Sequence, residues 1–294
     1  MYKNRLAFLI AVFILSSVIQ AQEEMGNPII NVSMNSIVKE YSRYVVSYNT
    51  KYNIPNWVAW KLTKTQLPNT DDIKIDRDDK FTVDNDLKNS NIGVFFAKHE
   101  DYPGNDFDRG HMCPAEDNRF LREAMTECFY TINICPQTAN LNRGKWKVLE
   151  NRCRSWAQEY DSVYIVCGPI LLETEDLDES FFLASDSINK IYIPKRFFKV
   201  ILKCRNTAGS NKKTPPSNKD FKDANLTLAT ASDQAIGYIF TMNESSTDFE
   251  IRAVSHIEAV TGINFFPNLK NSNKVEGKIL REAWRGYLLE GGTY

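Results

Sequence analysis

The sequence predicts a single α+β domain with a mixed or antiparallel central sheet flanked by helices. Short β-branched and aromatic runs alternate with amphipathic stretches, and no internal repeat or sharp compositional break occurs after residue 22. The chain has 294 residues, 43% hydrophobic and 25% charged, which is an ordinary globular balance.

The elements follow in order. Tyr44-Val45-Val46-Ser47-Tyr48 and Trp57-Val58-Ala59-Trp60-Lys61-Leu62 read as adjacent strands, separated by a turn at Asn53-Ile54-Pro55-Asn56. From Pro68 to Asn91 the chain is polar, a long surface connection with Arg77 and Phe81 as its anchors. Residues 118–129 read as a helix, and Thr131 to Cys135 as a short strand stopped by Pro136. A second helix runs to about Tyr160, with Trp146, Leu149, Cys153 and Trp156 on one face at spacings of 3, 4 and 3. Ser162 to Gly168 is a buried-type strand. Lys190 to Pro194 and Phe197 to Cys204 suggest a hairpin, and residues 206–223 an exposed loop. Ala235 to Phe240 is a further strand, and residues 250–261 a helix stopped by Gly262.

Residues 1–21 stand apart. Lys3 and Arg5 lead an uncharged run from Leu6 to Ala21, which reads as a secretory signal peptide. The run is short for a spanning helix. The expectation is therefore an exported protein, periplasmic or secreted, with no membrane association after cleavage. Residues 22–40 form a lead-in and 41–294 the domain. Without Lys3 and Arg5 the balance is 34 basic against 37 acidic residues. A polyanion would then have to meet a local basic patch rather than the whole surface. Arg119, Arg122, Arg143, Lys145, Lys147, Arg152 and Arg154 form such a cluster in sequence. Six cysteines in an exported chain allow up to three disulfides in fifteen pairings. The absence of C-x-x-C spacing and the three histidines argue against zinc.

The chemistry concentrates in Asp108-Arg109-Gly110-His111. Histidine transfers protons near neutral pH, and arginine clamps a phosphate bidentately. In a strand, Arg109 and His111 would project to one face. Read alone, the same residues make a surface ion pair beside a structural histidine. Three more segments follow: Asn133-Ile134-Cys135-Pro136-Gln137, Asn142-Arg143-Gly144-Lys145-Trp146 and Leu149-Glu150.

Together the four segments resemble the sugar-nonspecific DNA/RNA endonuclease family, nucleases with a ββα-metal active-site motif. They meet its D-R-G-H, N-x-x-P-Q and N-x-G-x-W-x-x-L-E patterns in order. The resemblance extends through Asn56 to Trp60, Tyr164 to Pro169 and Thr261 to Pro267, covering about residues 41–285.

The resemblance implies a metal-dependent endonuclease hydrolysing DNA and RNA with little sequence preference. It implies His111 as general base and Asn142 as the one direct protein ligand of Mg2+, with Mn2+ equally compatible with oxygen ligands. Glu150 would act through metal-bound water, since eight helical residues rise about 12 Å. Arg109 and Arg154 would contact phosphate or transition state, and Asn133 would support the site by hydrogen bonding. Arg143 and Lys145 would line the substrate groove. Lys61 stands where many relatives have arginine, keeping the charge without the fork. A disulfide between Cys113 and Cys135 would brace the site. Some family members dimerise, but no surface here can be assigned to it. Two alternatives stay open: a phosphodiesterase narrowed to RNA, and an inactive nucleic-acid-binding protein.

Overall fold

The β-branched and aromatic runs pair into one seven-stranded antiparallel sheet, seen in a computed structural model. It describes residues 28–30, 36–67, 74–90, 95–102, 107–171, 179–184, 190–204, 234–242 and 248–267. The expected leader at 1–21, the expected loop at 206–223 and the end of the expected domain beyond 267 lie outside them.

The strands are β1 (Ile29–Ile30), β2 (Ser36–Glu40), β3 (Val45–Asn49), β4 (Ile54–Leu62), β5 (Asp108–His111), β6 (Ile134–Gln137), β7 (Ser162–Ile170), β8 (Phe182–Ala184), β9 (Lys190–Tyr192), β10 (Arg196–Cys204), β11 (Gln234–Thr241), β12 (Asp248–Arg252) and β13 (Ile263–Asn264). The helices are α1 (Asn85–Asn89), α2 (Arg122–Cys128), α3 (Lys147–Glu159) and α4 (Val254–Thr261). The main sheet runs β12-β11-β10-β7-β4-β3-β2, with three two-stranded ribbons beside it: β1-β13, β5-β6 and β8-β9.

Alternation along the strands gives the sheet two buried faces. Val58, Trp60 and Leu62 of β4, with Phe197 and Ile201 of β10, pack under Trp146, Leu149 and Cys153. Trp57, Ala59, Phe198 and Val200 face the other way, against Val254 and Ile257 of α4. The expected stripe of Trp146, Leu149, Cys153 and Trp156 is the buried face of α3. Gly262, at φ 67°, stops α4 as its sequence suggests.

Several expectations are corrected. The turn before β4 lies earlier, where Asn49 Oδ1 accepts the N–H groups of Lys51 and Tyr52 and fixes the bend. The expected hairpin of 190–194 with 197–204 does not form: β9 pairs with β8, while β10 lies between β7 and β11. Pro136 does not stop its strand, because a two-stranded ribbon needs donors on one edge only. The helix expected from 118 begins at Arg122, after a 3-10 turn at Ala115–Asn118. Residues 248–252, partly assigned to a helix, extend the sheet instead.

No disulfide joins the cysteines among the described residues, so the disulfide expectation fails, including the pair Cys113–Cys135. Both of those are sealed in the core, and burial pushes each thiol well above its ordinary range. Among the described residues no helix is long and apolar enough to cross a membrane.

Gly168 of β7 allows β4 to come close. A Cβ there would lie 2.4 Å from the Asn56 carbonyl oxygen and 3.1 Å from Trp57 Cα. The Gly168→Ala variant should therefore lose about 1–3 kcal/mol in urea unfolding as the central strands separate.

Candidate active site

The ribbon β5-β6 and helix α3 together make a ββα unit on one face of the main sheet. Asp108 pairs with Gln137, Arg109 with Pro136, Gly110 with Cys135 and His111 with Ile134. Behind the ribbon, buried Asn133 braces the end of β5. Its Oδ1 accepts the Cys113 N–H at 2.9 Å, and its amide donates to the carbonyls of Cys113 and Cys128 at 2.9 and 2.8 Å. Asn133 therefore holds the ribbon without reaching the cleft.

Ahead of α3 lies a wide helical turn, Leu141–Trp146, broken from α3 by non-helical backbone at Gly144. That break brings Asn142 and Glu150 to one cleft, which a straight helix across eight residues would not do. Asn142 does not cap a helix. Its Nδ2 donates to Asp108 Oδ2 at 2.9 Å, which turns the carboxamide oxygen away from that carboxylate.

The cleft has a volume of about 720 Å3 and is lined by His111, Arg109, Asn142, Arg143, Glu150 and Arg154 among others. On α3, Lys147, Glu150, Asn151 and Arg154 share its wall, at spacings of 3, 1 and 3. Arg154 is held by buried Asp117 at 2.7 Å, not by Glu150. Asp117 also accepts the Trp60 indole N–H at 3.0 Å, tying the cleft to the core of β4.

Electrostatics separates the titratable groups. Burial pushes the Asp108 carboxyl up. Hydrogen bonds from Arg143 and Asn142, with the charges of Arg143 and Arg109, outweigh it and hold the group below the usual carboxylate range. Burial raises Glu150 to about 7, opposed first by the charge of Lys199 and then by Arg154. The His111 ring lies edge-on to Phe129 at 4.8 Å between centroids, and 5.4 Å from the ring of Phe81. Burial first, and then the Arg77 charge, bring its pKa down to about 3.

The structure does not gather every expected residue. Lys61 alternates onto the opposite face of the sheet, its Nζ 5.0 Å from the Tyr164 ring centroid, so it cannot contact a substrate in this cleft. Lys145 lies over Phe249 at 5.4 Å, away from the cleft wall. Arg143 remains at the rim, 72% exposed in its side chain, but forms a bidentate pair with Asp108 at 2.8 and 2.6 Å. Of the basic cluster, Arg119 is engaged with Glu116 and the Ile75 carbonyl.

Arg77 lines the cleft and was not among the expected site residues. Its guanidinium lies 5.4 Å from the Phe129 ring and pairs with Asp79 at 2.8 Å. One signal existed: it is the sole arginine between Arg43 and Arg109, in a long polar connection.

Ribbon and helix thus bring an imidazole, a carboxamide and several arginines to the wall of one cleft. The chain belongs to the DNA/RNA non-specific endonuclease family, whose model matches residues 22–272. It is 29% identical over 255 residues to mouse mitochondrial nuclease EXOG, covering 86% of this chain and 62% of that protein. The mitochondrial nuclease of Saccharomyces cerevisiae is 30% identical over 237 residues, covering 79% of this chain and 66% of that one. Nuclease C1 of Cunninghamella echinulata is 36% identical over 166 residues, covering 55% and 64%. The crystal structure of an EndoG/EndoGI complex superposes with a TM-score of 0.62 and 25% identity, covering 84% of this chain and 91% of that one.

These relatives overturn the expectation of export, because those from mouse, human and yeast are mitochondrial nucleases. A basic, acid-free N-terminus is shared by secretory and mitochondrial targeting segments, so charge and hydropathy there do not choose between them. With export withdrawn, the argument for oxidised cysteines also loses its basis.

The ring signals of His111 should stay at their neutral positions in NMR titration from pH 8 to 5. A midpoint near 6.5 would show that the ring is hydrated. The sign for stability follows: the unfolded chain takes up the proton first, so stability falls as pH drops below about 6.5.

Proposed function

We propose that this chain is a metal-dependent endonuclease that hydrolyses phosphodiester bonds in DNA and RNA with little sequence preference. Its nuclease domain begins ahead of the expected residue 41, since β2 is a strand of the main sheet. The observation that carries the reading is the joining of His111 and Asn142 in one basic cleft through Asp108, which shares a strand with His111 and holds Asn142. The chain spans about three-fifths of the mouse and human relatives it matches, so activity and substrates are inferences from the site.

The donor set fits a hard divalent cation. No cluster of three His, Cys, Asp or Glu groups exists among the described residues, which disfavours a cation stripped of its hydration. Asn142 presents a neutral oxygen oriented by the bond of its amide to Asp108, and Glu150 is a half-buried carboxylate on the wall of the same cleft. This suits Mg2+ or Mn2+, which prefer oxygen and retain water. Asn142 would hold the ion directly and Glu150 through intervening solvent. When bound, the ion supplies Lewis-acid stabilisation of charge on the leaving oxygen.

The remaining chemistry belongs to the chain. His111, on the wall of the cleft, would take the proton of the attacking water. Arg109, Arg154 and Arg77 line the cleft and would contact the phosphate. Asn133 positions β5, and Arg143 reaches the rim as a substrate contact once it shares Asp108. Contacts to phosphate read no bases, which accounts for broad specificity.

Plasmid and RNA digestion by the purified chain should require Mg2+ or Mn2+ and stop in EDTA. His111→Ala should lower the rate about 10²- to 10⁴-fold. Cleavage of RNA alone would narrow the substrate, and no cleavage with either metal would remove the enzyme reading. Asp108→Ala should raise the metal concentration for half-maximal rate about 10- to 100-fold, with the circular dichroism spectrum unchanged.

A further inference from the structure

Lys199 sits where a globular core places an aliphatic residue. It is in the middle of β10, paired with Cys167 on one side and Tyr238 on the other. Phe197 and Ile201, two positions away on the same face, belong to the core beneath α3. Its side chain is fully buried, and its Nζ finds no hydrogen-bond acceptor among the described residues. An unpaired ammonium in an apolar interior is among the least favourable groups a fold can bury.

The ammonium does have a partner of another kind. Nζ lies 3.9 Å from the centroid of the Trp146 ring, with Trp60 at 5.9 Å. Cation–π attraction is strongest where water is excluded, as here. Trp146 is itself fully buried, with Phe197 and Phe240 edge-on at 5.8 and 5.4 Å. Its remaining polar atom reaches the catalytic strand: the indole N–H donates to the His111 carbonyl at 3.3 Å. Trp146 also closes the turn that carries Asn142. One ring thus joins an ammonium below, the backbone of His111 beside it, and the turn bearing Asn142.

We propose that Lys199 is a positioning residue of the nuclease site, clamping the Trp146 indole from below so that the His111 strand and the Asn142 turn keep their relative placement. The inference rests on the nuclease reading above. It gives a reason for a charge at the sheet centre: a methionine would fill the same space without the cation–π attraction on the ring. The clamp acts through the ring and touches neither substrate nor metal. Because the Lys199 charge also bears on Glu150, the loss of kcat in Trp146→Phe, which keeps that charge, is what separates the ring's role from the charge's.

Three substitutions and one double variant test it. Lys199→Met keeps the length without the charge, Lys199→Arg keeps the cation, and Trp146→Phe keeps a ring but removes the N–H. The double variant combines Lys199→Met with Trp146→Phe. Each is assayed for kcat and KM on an oligonucleotide, for Mn2+ affinity by electron paramagnetic resonance, and for thermal melting. Lys199→Met should melt no lower than the parent, because replacing an unpaired buried charge by an apolar side chain is neutral or stabilising. Its kcat should nonetheless fall about 10- to 100-fold, the range for residues that orient a metal site from behind. KM should stay within about twofold and Mn2+ binding should weaken, with Lys199→Arg restoring part of both losses. Trp146→Phe should lose kcat similarly, and the double variant Lys199→Met/Trp146→Phe should lose no more than the worse single, since both act along one route.

A Lys199→Met protein with full kcat, or a double variant whose losses multiply, would overturn the proposal. If Lys199→Met does not melt cooperatively, Trp146→Phe decides: unchanged kcat there removes the tether. Failure of the parent chain to cleave any substrate would remove the nuclease reading itself. Variants that keep full kcat beside an active parent remove only the clamp.

Discussion

The carboxylate of Asp108 is the joint of this molecule. It accepts hydrogen bonds from Asn142 at 2.9 Å and from Arg143 at 2.8 and 2.6 Å, while sharing a four-residue strand with His111. Ribbon and helix come from separate stretches of chain, and this carboxylate fixes one against the other at the mouth of the cleft. Hydrogen bonds between an ionised acceptor and a guanidinium are among the strongest polar contacts a surface can make. Behind it, Asn133 performs the same service with neutral groups, holding the backbone around Cys113 and Cys128 in place. Polar ties at both ends leave the ribbon little freedom, although only two strands support it.

The cleft separates its groups by environment as much as by identity. His111 is walled by the rings of Phe81 and Phe129, and Arg77 adds a nearby positive charge, so the imidazole stays neutral. Asp108 is pinned as a carboxylate by its donors, while Glu150 is raised to about 7 by burial. Two carboxyl groups in one cleft thus hold protons over different pH ranges. The arginines are positioned rather than loose. Arg154 rests on buried Asp117, and Arg109 lies 5.1 Å over the Phe81 ring.

Much of this was legible in the residues. The strands 44–48, 57–62, 162–168 and 235–240, the buried face of α3 and the stop at Gly262 all follow from alternation, helical period and glycine. Two of the misses come from strand pairing, which local composition does not specify. The expected hairpin of β9 with β10 lost to pairing with β8, because neighbouring runs of similar composition do not specify their partners. Pro136 sits inside a strand since its missing N–H faces the open edge of a ribbon. Arg77 was passed over because its contact with the site crosses more than thirty residues and a long connection, where no local pattern marks it.

The sequence by itself determined the family, the type of each chemical group and the order of His111, Asn142, Glu150 and Arg154, because those are set by residue identity at short spacing. Tertiary structure decided which of them meet. Lys61 and Trp60 are adjacent in the chain, yet strand alternation sends one to the back of the sheet and the other to the floor beneath the site. Asn142 and Glu150 reach a common cleft because the backbone departs from helical geometry at Gly144, which a helical period does not anticipate. The charge of Lys199 at the centre of a sheet meets the ring of Trp146 and the field of Glu150 only in the folded chain. Residue types are local information, whereas direction and neighbourhood belong to the folded chain.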